Sequence, residues 1–287
     1  MEIVVRLYST DCRGWLGTAA YTTDTLREEI QALYEGGFRG VELCMQNASN
    51  GAPNTTYAYG SPHWAYMWRL MMNELLDLGM GLYLTSGANW ATSNVPGLDP
   101  DSQQAMEILA MSKQIVNPGQ TITALQKLGT TRATDKGRFI GAYEYKFDSQ
   151  EPRNVAGRYN HTRTAVVDDT MIPLPAPTQG ATVYDQNVTW TATTDGQYVV
   201  FSYWAHGAYQ TSSPGAETCY ATNYFDVRGV ATLREFWGAN YLSNPVLNQK
   251  IMEGDVQLFM DSLEINPNGG ITWWAEDIFE EFKARKG

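Results

Sequence analysis

Apolar residues recur at helical spacing in two segments near the amino terminus, and a short apolar run follows each of them. The first segment covers residues 23–35 and precedes an apolar run at 38–43. The second begins at Ser61-Pro62 and precedes a run at 80–85. Helices that alternate with buried strands predict a parallel sheet that is covered by helices.

The rest of the chain extends this alternation. Asp99-Pro100 predicts the start of a third helix that runs through Ile115, and residues 139–145 predict a further strand. The other predicted elements are a helix at 230–242, a helix opened by Asn244-Pro245, a strand at 255–260 and a helix capped by Thr272 with Ile278, Phe279 and Phe282 inward. No glycine-rich phosphate motif follows the first strand, which disfavours a dinucleotide fold. We therefore predict an α/β chain with a (β/α)8-type barrel.

Residues 151–204 have a different character, since they form Pro-broken runs that are rich in Thr and Val. Asp195-Gly196 within this segment is typical of a hairpin turn. The sequence predicts an antiparallel β insert between a first barrel part at 1–150 and its continuation at 205–287. Of the 287 residues, the 54 of the insert leave 233, slightly fewer than the ~250 of a typical barrel. We expect a barrel that is incomplete at its carboxyl-terminal end.

Composition narrows the classes of partner. The net charge of −11 disfavours a nucleic acid or an anionic membrane surface, and no run approaches the ~18 apolar residues of a membrane helix. Charged residues make up only 18% of the chain, whereas the chain has 9 tryptophans and 17 tyrosines. This composition favours a small neutral ligand. Three scattered cysteines exclude a disulfide framework.

The signals for cellular location point in two directions. Residues 1–6 lack the basic start and apolar run of a signal peptide. Four glycosylation sequons occur, at Asn47, Asn54, Asn160 and Asn187, and such sites are used only in a secretory lumen. We expect the full-length form to be secreted or extracytoplasmic, with a longer amino terminus.

Carboxylates recur at the ends of the predicted strands, where barrel enzymes place their chemistry. The polar residues at these positions are Glu42, Ser86, Asn89, Trp90, Glu144, Glu217, Asp261 and Glu264. A surface position or an ion pair remains the alternative for each carboxylate. Two carboxylates among aromatic side chains suit glycoside hydrolysis. In this reaction one carboxylic acid protonates the leaving oxygen, and the other carboxylate activates water or attacks the sugar.

Other hydrolytic chemistries fit less well. None of the three histidines belongs to a His-Glu-x-x-His pattern, which argues against a zinc hydrolase, and no Gly-x-Ser-x-Gly elbow is present. Among the histidines, His206 is predicted to be a loop contact to substrate.

Several motifs in order along residues 23–287 resemble glycoside hydrolase family 106, the α-L-rhamnosidase family. They are Gly40-Val41-Glu42-Leu43, Ser61-Pro62-x-Trp64, Leu84-Thr85-Ser86-Gly87-Ala88-Asn89-Trp90, Gly215-Ala216-Glu217 and Asp261-Ser262-Leu263-Glu264. The resemblance implies a (β/α)8 catalytic barrel with a β insert that hydrolyses α-L-rhamnosides with inversion. It also implies a calcium ion associated with the site, and accessory domains in a longer chain.

The family's functional residues map onto matching positions of this sequence. By resemblance, Glu217 and Glu264 are the acid and base, without an order between them, and Glu42 is a third catalytic or ion-binding carboxylate. Asn89 and Trp90 would contact the sugar. Asp261 and His206 complete the predicted substrate-binding set.

Two other hypotheses remain open at this point. The chain could be a non-catalytic carbohydrate-binding barrel, or an inactive fragment of a glycosidase. An unclosed barrel would expose a strand edge, which favours aggregation.

Overall fold

The computed structural model describes residues 11–16, 22–45, 59–85, 93–128, 136–155, 159–212, 218–259, 265 and 272–286. The helices of this part are α1 Thr23–Glu35, α2 Pro62–Asp77, α3 Val227–Asn240, α4 Pro245–Glu253 and α5 Ile278–Lys286. The strands are β1 Asp11–Leu16, β2 Gly40–Met45, β3 Gly81–Thr85, β4 Asn94–Val95, β5 Glu107–Val116, β6 Thr121–Ala124, β7 Arg138–Val155, β8 Tyr159–Val166, β9 Ile172–Pro173, β10 Thr178–Gln179, β11 Gln186–Thr191, β12 Tyr198–Gly207, β13 Thr211–Ser212, β14 Cys219–Ala221, β15 Val256–Phe259 and β16 Thr272–Trp274.

The chain divides into two compact units. The first comprises Met1–Met106, Ala208–Asn268 and Ala275–Gly287. The second comprises Glu107–Gly207 and Gly269–Trp274. None of the helices in the described ranges is long and apolar enough to span a bilayer.

The first unit contains a four-stranded parallel sheet in the order β1-β2-β3-β15. Helices α1 and α2 connect its strands as the sequence predicted. Ser61 caps α2, since its side chain accepts a hydrogen bond from the Trp64 backbone N–H at 3.1 Å, and Pro62 occupies the first turn. Thr22 caps α1 in the same way through the backbone N–H of Thr25.

One face of the parallel sheet is buried against these helices. Val41, Leu43, Leu82 and Leu84 belong to one apolar cluster with the inward residues of α1 and α2. Its centre is aromatic, because Trp68 lies 5.2 Å from Trp64 and 5.4 Å from Tyr241, measured between ring centroids. Burial of large rings and aliphatic side chains on this scale stabilises the unit by the hydrophobic effect.

The carboxyl-terminal helices of the first unit match the sequence only in part. Asp226 and Asn244 cap α3 and α4 with their side chains, and the position of α4 confirms the prediction from Asn244-Pro245. The last helix was predicted wrongly. Thr272 lies in strand β16 instead of capping a helix, and in α5 the side chains of Phe279 and Phe282 are 59% and 66% exposed.

The second unit is antiparallel. Its larger sheet has the order β16-β5-β12-β7-β8, with β9 paired to β7, and its smaller sheet has the order β10-β11-β6. Strand β12 lies at the centre, where it pairs with β5 along its whole length and with β7 across a bulge. Successive residues of these strands point to opposite faces of the sheet.

The predicted (β/α)8-type barrel is wrong. The described residues contain four parallel strands in an open sheet, and most of the other strands pair antiparallel. The strand predicted at 139–145 lies within β7, which pairs antiparallel with β12. The helix predicted from Asp99-Pro100 does not form across 107–116, where β5 is found instead. Isolated periodicity cannot separate a buried strand from a buried helix, and here pairing with β12 decides.

The hairpin predicted at Asp195-Gly196 is also wrong. The strands on either side of it, β11 and β12, belong to different sheets: β11 pairs with β6 and β10, and β12 pairs with β5 and β7. The turn signal is local, whereas the choice of pairing partner is made by residues far away in the sequence. The domain limits predicted at 150 and 204 stay a prediction.

Candidate active site

The four parallel strands of the first unit end together at one edge of their sheet, which we call the carboxyl edge. It is formed by Leu16, Met45, Thr85 and Phe259, the last residues of β1, β2, β3 and β15. Leu16 lies opposite Met45, and Thr85 lies opposite Phe259. In open parallel sheets, ligands bind at this edge because the loops that follow the strands begin there.

Glu42 lies on β2, three residues before the carboxyl edge. It is in register with Tyr83 on β3, which in turn is in register with Gln257 on β15. These side chains share the face opposite to that of Val41 and Leu43, which pack with the helices. Glu42 is only 8% exposed. A carboxylate that is buried this far costs several kcal/mol unless polar partners compensate it, so its presence on an apolar strand marks a polar spot in this sheet.

The other carboxylates and contacts predicted for the site lie outside the described residues. These are Glu217, Asp261, Glu264, Asn89 and Trp90. The segment with Asn89 and Trp90 follows β3 in the sequence, and the segment with Asp261 and Glu264 follows β15. Strands β3 and β15 are neighbours in the sheet.

His206 belongs to the second unit. It lies on strand β12 in register with Ile108, so its predicted position in a loop is wrong, and its contact to substrate stays a prediction. The side chain is half-buried, and its ring Nδ1 lies 3.0 Å from the carbonyl oxygen of Gly207. The structure therefore places His206 on the antiparallel sheet, and Glu42 on the parallel one.

A buried ion pair in the second unit was missed by the sequence analysis. Arg138 donates two hydrogen bonds to the carboxylate of Glu107, at 2.6 and 3.1 Å, and Glu107 is only 1% exposed. This two-pronged geometry is the strongest arrangement available to an arginine and a carboxylate. The signal in the sequence was Glu107 itself, a charged residue within the apolar run at 105–110. Its role could be assigned only after the structure showed Arg138 as its partner.

Glu144 is a buried carboxylate of a different kind. The sequence analysis assigned it to a barrel strand, but it lies on the buried face of β7, in register with Val200 and Ile172. It is 8% exposed, and within the described part of the chain its Oε2 atom has no hydrogen-bond partner. Burial raises the pKa of Glu144 above its ordinary value. A raised pKa is a common property of catalytic acids, but structural carboxylates share it.

No group of three or more His, Cys, Asp or Glu side chains among the described residues stands close enough to hold a metal ion. The calcium ion implied by the resemblance stays a prediction. The described residues thus offer one buried carboxylate, Glu42, three residues before the carboxyl edge.

Comparison with known proteins gives a structural likeness. No protein-family model matches the chain, and no curated protein matches it in sequence. The fold is similar to that of the rhamnosidase from Novosphingobium sp. PP1Y, with a TM-score of 0.58 and 12% sequence identity. The alignment covers 96% of this chain and 40% of the rhamnosidase. The chain therefore shares its fold with part of a glycosidase and spans about 40% of that protein's length.

Proposed function

We propose that this chain is the substrate-cleaving part of a glycoside hydrolase that removes terminal α-L-rhamnosyl groups. Two observations support the proposal. The fold is similar to part of a rhamnosidase, and the ordered motifs from residue 40 to residue 264 resemble those of glycoside hydrolase family 106.

The observation that carries the proposal is the order of strands at the carboxyl edge. Strand β3 lies between β2, which bears the buried Glu42, and β15. Asn89 and Trp90 follow β3 in the chain, and Asp261 and Glu264 follow β15. The segments that follow β3 and β15 in the chain therefore begin at neighbouring strands, which supports a shared site for these residues.

The proposed mechanism uses two carboxyl groups. One of Glu217 and Glu264, protonated, donates its proton to the glycosidic oxygen as the bond to the anomeric carbon breaks. The other, ionised, removes a proton from a water molecule that attacks the opposite side of that carbon, so the configuration inverts. Glu42 is proposed as a third carboxylate, whose negative charge stabilises the positive charge that develops on the sugar ring.

The proposal is tested with purified full chain and an aryl α-L-rhamnoside, next to aryl glycosides of glucose, galactose and fucose. We expect release of the aryl group from the rhamnoside, and a loss of about 10²–10⁴-fold in kcat for Glu264→Gln and for Glu217→Gln. Glu280→Gln, at an exposed position of α5, is the control and should keep the wild-type rate.

Two results would overturn the catalytic roles. Glutamine variants that turn over as fast as wild type would remove Glu264 and Glu217 from the mechanism. A cooperatively folded chain that binds rhamnosides but releases no product over days would favour the carbohydrate-binding hypothesis instead. Proton NMR of the first sugar released reports its anomeric configuration and so tests inversion. The calcium ion, the extracytoplasmic location and the accessory domains stay predictions.

A further inference from the structure

The short strands β4 and β14 of the first unit pair next to two of the candidate segments. Strand β4 begins at Asn94, four residues after Trp90, and β14 begins at Cys219, two residues after Glu217. The strands are antiparallel, with Ala221 opposite Asn94. We call this pairing the β4–β14 junction. It joins the stretch of chain that follows a proposed sugar contact to the stretch that follows a proposed catalytic carboxylate.

The side chain of Asn94 ties the two strands of the junction together. Its Nδ2 atom donates a buried hydrogen bond to the carbonyl oxygen of Cys219 at 2.9 Å. Asn94 and Cys219 are both 0% exposed. A buried amide gives up its hydrogen bonds to water, so it is tolerated only where the protein supplies partners. The bond therefore fixes the chain two residues after Glu217 to the chain four residues after Trp90.

Backbone hydrogen bonds hold the junction one residue further along. The carbonyl oxygen of Ser93 accepts a hydrogen bond from the N–H of Thr222 at 2.9 Å, and the N–H of Ser93 donates to the hydroxyl of Tyr224. Ser93 and Thr222 are at most 2% exposed. A strand of two residues forms few ladder hydrogen bonds, so the side-chain bond of Asn94 adds a tie that the ladder does not supply.

A hydrogen bond of the same kind elsewhere in the first unit provides a matched control. Asn248 Nδ2 donates to the carbonyl oxygen of Leu242, also at 2.9 Å. Neither residue adjoins a candidate segment in the sequence. The two bonds share donor, acceptor and length, so a difference between their effects reports on the place of Asn94 in the fold.

We propose that Asn94 is a positioning residue, which acts on the reaction by anchoring the segment of Glu217 to β4. An acid or base must stand within hydrogen-bond reach of the atom with which it exchanges a proton. A displacement of about 1 Å can therefore cost about 10²-fold in rate. This inference rests on the proposed function for the role of Glu217, and it adds the contact that holds this carboxyl group in place.

The first test is a double-mutant cycle in the full chain with the aryl α-L-rhamnoside. Asn94→Ala removes the amide donor, and we expect kcat to fall by about tenfold or more while KM changes by about threefold at most. In the Glu217→Gln background the same substitution should change kcat by about twofold at most, because the group through which Asn94 acts is gone. Asn248→Ala should keep the wild-type kcat.

A second variant keeps the test decisive if Asn94→Ala does not fold. Asn94→Asp keeps the size of the side chain, but an ionised carboxylate cannot donate to the Cys219 carbonyl. Circular dichroism melts establish that each variant is folded at the assay temperature. A wild-type kcat in a folded Asn94 variant overturns the inference. Equal losses in the wild-type and Glu217→Gln backgrounds overturn it as well, because such a loss does not pass through Glu217.

A second readout does not depend on catalysis. In chains that carry carbon-13 in the glutamate carboxyl groups, the NMR resonance that Glu217→Gln removes belongs to Glu217. Its chemical shift should change in Asn94→Ala and stay constant in Asn248→Ala. If this holds while no chain cleaves the rhamnoside, the role of Asn94 stands and the hydrolase proposal fails. If the rhamnoside is cleaved and neither kcat nor the resonance responds to Asn94→Ala, the hydrolase proposal stands and this inference fails.

Discussion

The parallel sheet of the first unit and the antiparallel sheet of the second unit use buried polar groups in different ways. In the parallel sheet, the helix-covered face is apolar, and Glu42 lies on the other face near the strand ends. In the antiparallel sheet, buried carboxylates occur on both faces, with Glu107 bonded to Arg138 and Glu144 without a bond to its Oε2 atom. A buried glutamate thus has a different setting in each case. Glu42 lies near a sheet edge, Glu107 forms an ion pair, and Glu144 has an ionised form that burial destabilises.

Three predictions test the difference between the two sheets, in decreasing order of expected effect. The first concerns the apolar side of the parallel sheet. Trp68 is 2% exposed within the aromatic cluster, so Trp68→Ala should lower the free energy of unfolding by about 3–5 kcal/mol. Denaturant titration measures it, and hydrogen exchange should show the loss in α2 and the strands that it covers. Tyr66→Ala, on the exposed side of the same helix, should change stability by about 0.5 kcal/mol or less. Equal effects of the two variants would contradict the assigned packing.

The second prediction concerns the buried ion pair. Arg138→Met leaves Glu107 as a buried charge without its main partner, and should cost about 3–5 kcal/mol of unfolding free energy. The double variant Glu107→Gln with Arg138→Met removes the charge and should recover part of this loss. Arg27→Met breaks the more exposed pair of Arg27 with Glu74 and should cost much less. A double variant that is no more stable than Arg138→Met would show that the two residues are not coupled.

The third and smallest effect comes from Glu144. Because burial raises the pKa of Glu144, the folded chain binds more protons than the unfolded chain between the ordinary and the raised value. The free energy of unfolding therefore falls as pH rises through this interval. Glu144→Gln should be more stable than wild type at pH 7 by on the order of 1 kcal/mol.

The pH dependence of this difference is the measurement that decides. The advantage of Glu144→Gln should disappear below about pH 4, where the wild-type carboxyl is protonated in both states. Thermal melts at pH 4, 5.5, 7 and 8 give the profile, with Glu280→Gln as the exposed control. If Glu144→Gln is less stable than wild type at pH 7, then polar partners compensate the cost of burying the Glu144 carboxylate.

The sequence predicted the helix and strand pattern of the first unit well. The bounds of α1, α2, β2, β3, α4 and β15 lie within a few residues of the predicted ones. These elements are set by local chemistry, such as the cap of Ser61 and the apolar stripe through Trp64 and Trp68. The candidate site was only partly accessible. Glu42 was predicted at the end of its strand and lies three residues before that end, whereas His206 lies on a strand of the other unit.

The errors share one physical cause. Strand β5 was predicted as a helix, and β7 was predicted as a parallel barrel strand. Both acquire their identity from β12, and the residues that pair with it are 50 or more positions away in the sequence. The hydrogen bond from Asn94 to Cys219 was missed for the same reason, since it joins residues that are 125 positions apart.

The sequence by itself determined which segments are apolar on one side, where helices begin, and that the chain is acidic and rich in aromatic side chains. These properties depend on residues within a few positions of each other, or on composition alone. The tertiary structure decided the direction of strand pairing, the order of the strands in each sheet and the partner of each buried carboxylate. Strand pairing joins backbone groups that are identical in every residue, so a local pattern does not encode its choice of partner, and long-range packing of side chains must select it.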